Sequence, residues 1–160
     1  MRRVLFAGAI ATLAIAPSGA AGDSAFDGYS FGMTIAQAEG VPPTRKAFEC
    51  GRLMTSRCIV YQRRLGTLDG TVTIQFSLDD RRINRIEISP RAVGNRGGTS
   101  CDAAWSGLVA FLKDLYGPPQ SQEGNTVHWR TDNAAVTATV LQEADEFCDV
   151  AAALTSAGQP

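Results

Sequence analysis

An α+β fold is predicted by this sequence: two tandem units, each a helix followed by a three-stranded antiparallel sheet, with the helices packed on one sheet face. Three observations lead there. Strand-like alternation comes in two groups of three segments, at 58–89 and 127–154. Each group follows a segment with helix signals, at 34–40 and 101–116. Glycine and proline punctuate the joins. The units span about 26–90 and 99–156 of a single domain covering 22–160. The chain has 160 residues, 44% apolar and 19% charged, which excludes a disordered or collagen-like protein. No apolar run reaches the roughly 18–20 residues of a membrane-spanning helix.

Residues 1–21 read as an address. Arg2 and Arg3 precede the apolar stretch 4–16, and Pro17, Ser18, Gly19, Ala20 and Ala21 close it. A basic start, an apolar centre and a small-residue end make a secretory signal peptide, cut near Ala20 or Ala21. The arginine pair serves general or twin-arginine export alike. No Cys follows the apolar stretch before Cys50, so no lipid anchor is expected. The expected location is the periplasm or the medium.

The elements follow in order. Thr34 and Gln37 form a capping-box pattern that opens a short helix ending at Gly40, before Pro42 and Pro43. Residues 44–57 read as irregular and basic. The first strand, 58–65, is β-branched and aromatic. The next, 71–78, sets Val72, Ile74, Phe76 and Leu78 on one face and Thr71, Thr73, Gln75 and Ser77 on the other. Asp69-Gly70 reads as the turn before it, and Asp79-Asp80 as the turn after it. Strand 82–89 turns Ile86 and Ile88 inward. Gly94, Gly97 and Gly98 mark a linker. The second helix carries Cys101, Trp105, Leu108, Leu112 and Leu115 as an apolar stripe and stops at Gly117-Pro118-Pro119. Strands at 127–130, 134–141 and 147–154 complete the pattern. Trp105 and Trp129 are expected to pack between the second helix and its sheet.

Cys50, Cys58, Cys101 and Cys148 are an even set in an exported chain, which implies disulfides. Four cysteines allow three connectivities. The pairing Cys50–Cys58 closes a short loop. Cys101 lies on the helix stripe and Cys148 shares parity with Val150, Ala152 and Leu154, so Cys101–Cys148 is favoured for the second bridge. A zinc site is disfavoured: Cys-x-x-Cys is missing and His128 is the lone histidine. Without Arg2 and Arg3 the net charge is −3, unevenly spread. Residues 45–96 hold 11 basic against 5 acidic residues, and residues 97–160 hold 2 against 8. Thirteen of the 15 cationic residues are Arg, a side chain suited to planar recognition.

Two stretches carry a resemblance. Phe26-Asp27-Gly28-Tyr29-Ser30-Phe31-Gly32-Met33-Thr34 resembles the opening of many small exported bacterial proteins. Leu112-Lys113-Asp114-Leu115-Tyr116-Gly117-Pro118-Pro119 with Val127-His128-Trp129 resembles their second half. Together they are similar to the β-lactamase-inhibitor-protein-like folds, which include the small lipoprotein of the outer-membrane β-barrel assembly machine. The lipidated Cys of the assembly lipoproteins is missing, which argues against an outer-membrane anchor.

No catalytic constellation stands out, and the protein is not expected to be an enzyme. His128 sits in a strand beside Trp129 and reads as an exposed side chain. Asp79 and Asp80 diverge in a turn, and Glu143, Asp145 and Glu146 read as a solvated loop. The glycines at 94–98 lack the context of a nucleotide-binding fingerprint. No cofactor and no metal is expected. Arg63, Arg64, Arg81, Arg82, Arg85, Arg91 and Arg96 crowd the first unit, with Tyr61 the one aromatic nearby; nucleic acid is not the expected partner. Tyr61, Arg63 and Arg85 form the candidate interaction surface, with His128 and Arg130 as further contact residues. The expected role is a monomeric binding or structural module of the cell envelope, acting through an exposed sheet face on an unidentified envelope or secreted protein. The alternatives are a soluble protein inhibitor of a hydrolase, carried by fold analogy, and an enzyme of unrecognised type.

Overall fold

The computed structural model describes residues 24–51, 56–91, 99–143 and 147–158. The signal-like segment, the glycine linker at 92–98 and the acidic loop at 144–146 lie outside them. Among the described residues, two helices and eight strands form: α1 (Ile35–Glu39), β1 (Phe48–Cys50), β2 (Ser56–Leu65), β3 (Leu68–Phe76), β4 (Ile83–Pro90), α2 (Cys101–Tyr116), β5 (Ser121–Glu123), β6 (Thr126–Arg130), β7 (Ala134–Glu143) and β8 (Phe147–Ser156). All strands join one antiparallel sheet in the order β1-β2-β3-β4-β8-β7-β6-β5.

This corrects the expected fold. There are not two tandem helix-plus-three-strand units but one continuous eight-stranded sheet with two helices, one of them only five residues long. The physical reason is at the centre. β4 and β8 each turn apolar side chains inward, and they pair directly, Ile86 opposite Leu154 and Ile88 opposite Ala152. That pairing continues one core and removes two unpaired edges. The expected packing of both helices on the sheet is also corrected. α2 is the helix that lies across β2, β3, β6, β7 and β8. α1 sits at the start of β4, where Gly32 N–H donates to Ile83 C=O and Ile83 N–H to Met33 C=O, both at 2.9 Å. Its capping box is formed: Thr34 and Gln37 bond each other's backbone reciprocally.

Alternation sets the two faces. On the side facing α2, Ile59, Leu65, Val72, Ile74, Phe76, Ile86, Ile88, Val127, Trp129, Val136, Ala138, Ala152 and Leu154 are buried. Leu78 is the exception to its expected row, 62% exposed past the end of β3. The first hairpin turns at Gly66-Thr67, with Leu65 opposite Leu68. Asp69-Gly70 is therefore inside β3 and not the turn.

α2 starts at Ser100, whose hydroxyl accepts from Ala103 N–H, and stops at Gly117. It buries Ala104, Leu108, Phe111 and Leu112, while Leu115 is 47% exposed. In the last turn Tyr116 is the inward residue instead, its hydroxyl donating to Ala25 C=O at 2.8 Å. Gly107 lets the helix approach the sheet: a Cβ there would lie 2.6 Å from Leu68 Cδ1. Trp129 is buried and its Nε1–H donates to Gly117 C=O at 3.0 Å; Trp105 is half-buried against the same core. Both favoured disulfides are present, Cys50–Cys58 and Cys101–Cys148, with Cα separations of 6.0 and 5.9 Å.

Candidate functional site

β2 is amphipathic in an uneven way, and that divides the predicted site residues. Tyr61 and Arg63 share parity with Ile59 and Leu65, so they point to the face that carries α2. Arg85, opposite Gln75, points to the other face, as do His128 and Arg130. The structure does not bring Tyr61 and Arg63 together with Arg85. It makes two surfaces of the five residues.

The inner surface is built on a turn. Phe26 and Tyr29 exchange backbone hydrogen bonds of 3.2 and 2.8 Å across Asp27-Gly28, both of which have positive φ, 50° and 84°. Asp-Gly is the residue pair that such a turn favours. It aims the Asp27 carboxylate at β2. Tyr61 O–H donates to Asp27 Oδ2 at 2.9 Å, and Arg63 forms an ion pair with Asp27. The Tyr61 ring stacks on Tyr29, with centroids 6.1 Å apart, and carries the Arg45 guanidinium at 3.9 Å. Burial, and then the negative charge of Asp27, push the Tyr61 phenol far above its usual range. It is a fixed neutral donor, unsuited to act as a base or nucleophile near neutral pH. A cleft of about 260 Å³ opens beside Asp27, Pro42, Pro43, Arg45 and Arg63. Asp27 and Arg45 were not among the predicted site residues. Asp27-Gly28 carried a readable turn signal; Arg45 carried none beyond its charge.

The outer surface is a broad one. Apart from Cys58 in its disulfide, no outward-facing residue of β2, β3, β4, β6, β7 or β8 with a described side chain is buried. Register places Phe48, Cys58, Gln75, Arg85, Thr155, Ala135 and Arg130 in one row across seven strands. Three strand spacings separate Arg85 from Arg130, about 14 Å. Between them lies a shallow floor of small side chains, Ala135, Thr137, Ala151, Ala153 and Thr155. His128 borders it and is held by Thr137, Nδ1 to Oγ1 at 3.2 Å. Arg130 donates to Ala157 C=O at 2.6 Å, and Arg85 lies 3.7 Å from Glu87. At the β1 end, Phe48, Val60 and Leu78 are exposed around a hollow of about 470 Å³ that also takes in Cys50, Cys58 and Thr73.

Asp79 and Asp80 both lie in the turn after β3, and Asp80 is bonded within it. Ser77 O–H donates to Asp80, as does Arg82 N–H at 3.1 Å, and these two bonds, the hydroxyl first, hold the Asp80 carboxyl below its usual range. Among the described residues, no three His, Cys, Asp or Glu gather as a metal site would require, and no helix is long and apolar enough to cross a membrane. In comparisons with known proteins, no family model, no curated protein and no solved structure matches this chain. The resemblance at 26–34, 112–119 and 127–129 stands on those motifs alone.

Proposed function

We propose that this protein is an exported binding module of the cell envelope, without a catalytic site, that contacts a partner protein through the outer face of its sheet in the periplasm or the medium. The observation that carries the reading is the outer face, which no described element covers. It joins an apolar hollow at Phe48, Val60 and Leu78 to a flat small-residue floor, with Arg85 between them. Exposed apolar side chains around a hollow mark interaction sites in soluble proteins, and Arg is enriched where partners dock. The small floor receives bulky side chains without steric cost. The signal-like N-terminus and the two disulfides support export. The side chains best suited to proton transfer are engaged in structure: His128 on Thr137, Tyr61 on Asp27.

The test uses the oxidised protein as bait on envelope extract, beside two variants: Arg85→Glu with Arg130→Glu, and Phe48→Ala. The expected result is one partner that both variants retain at least about tenfold less well, with unchanged circular dichroism. A partner held equally by all three, or no partner, contradicts the reading.

A further inference from the structure

β2 has ten residues, but β1 pairs only with Ser56, Arg57 and Cys58. Along residues 59–65, no backbone hydrogen bond from the described chain reaches the side away from β3. The chain that leads into β1 does not close this edge. Pro42 and Pro43 have no N–H to offer, and Ala47 N–H is turned to Glu39 Oε1 at 2.9 Å. Between this segment and β2 lies the 260 Å³ cleft, which runs past Tyr61, Gln62 and Arg63. Among the described residues the edge is therefore a row of donors and acceptors without backbone partners, next to a cleft, the arrangement to which an extended peptide adds as a strand.

The charges name the peptide. Arg63 and Arg64 are neutralised by Asp27 and Asp69. Arg45 is not: its guanidinium rests on the Tyr61 ring, gives one N–H to Pro43 C=O at 3.1 Å, and has no carboxylate partner among the described residues. Arg57 likewise donates to Ala47 C=O at 2.6 Å and makes no ion pair among the described residues. A second copy of this chain is disfavoured, because β2 itself carries no Asp or Glu that could meet Arg45.

We propose that the open edge of β2 at residues 60–64 takes up an extended acidic segment of a partner protein by strand addition, with one carboxylate of that segment in the cleft against Arg45. This surface is separate from the outer face, so either reading can fail alone.

The experiment measures binding of capped nonapeptides to the oxidised protein by amide exchange and titration. The probes are alternating Glu/Thr, the same with Lys for Glu, and the Glu peptide N-methylated on either alternate set. The expected result is slowed exchange at edge amides of residues 60–64 by the Glu peptide. The Lys peptide binds at least about tenfold more weakly, and Arg45→Glu reverses that order. One N-methylated set fails to bind, while Arg85→Glu changes nothing. No binding at millimolar peptide, binding that survives both N-methylations, indifference to Arg45→Glu, or a β2-mediated dimer in sedimentation would overturn the proposal.

Discussion

Tyr61 shows how one side chain organises a surface: it donates to Asp27, stacks on Tyr29 and supports Arg45. Its phenol is kept neutral by burial first and by the Asp27 charge second. Burial does the same for Tyr116. A group whose folded pKa is raised contributes stability that is present below its ordinary value, near 10, and is lost as alkali drives ionisation in the folded state. In a spectrophotometric titration, Tyr61 and Tyr116 should ionise only as the fold opens, in step with loss of near-ultraviolet dichroism. Tyr61→Phe and Tyr116→Phe assign the two signals. Phenolate from either residue at about pH 10 in the folded protein would contradict this. The face of Tyr61 was only half legible in the sequence. Cys58, Ile59, Val60 and Tyr61 are all apolar or aromatic, so both parities of β2 look inward until Leu65 decides for the odd one.

At the scale of elements, short-range chemistry was legible because its causes are short-range. The capping box at Thr34 and Gln37, the stop at Gly117 and the inward row of Val72, Ile74, Phe76, Ile86 and Ile88 formed where residue spacing placed them. β1 and β5 were missed: three residues each are too few to show a period, and pairing with their neighbours makes them strands. The turn at Gly66-Thr67 was missed because Asp69-Gly70 carries the stronger local signal. The disulfides act between elements. Cys101–Cys148 ties the first turn of α2 to β8 across 47 residues, and Cys50–Cys58 joins β1 to β2 across 8. Loop-closure entropy makes the long bridge worth about 4 kcal/mol and the short one about 2.5 kcal/mol. Denaturant titration of the two paired Cys→Ala variants should rank them in that order. The reverse order would show that the short bridge holds more than its own hairpin.

At the scale of the molecule, the described residues form a sheet with α2 on one face and no described element on the other. This plan was not legible, because alternation reads the same in a three-stranded sheet and in half of an eight-stranded one. The β4–β8 pairing joins residues more than sixty apart, such as Ile86 and Leu154, and no local pattern announces it. The open face is also what separated Arg85, His128 and Arg130 from Tyr61 and Arg63. The most direct measurement of the account is site-specific photo-crosslinking in living cells. A photoreactive residue at Ala153, in the centre of the open face, should crosslink a discrete partner, and one at Asp114 on the exposed side of α2 should not. Equal crosslinking from both positions, or crosslinking from Asp114 alone, would contradict the account.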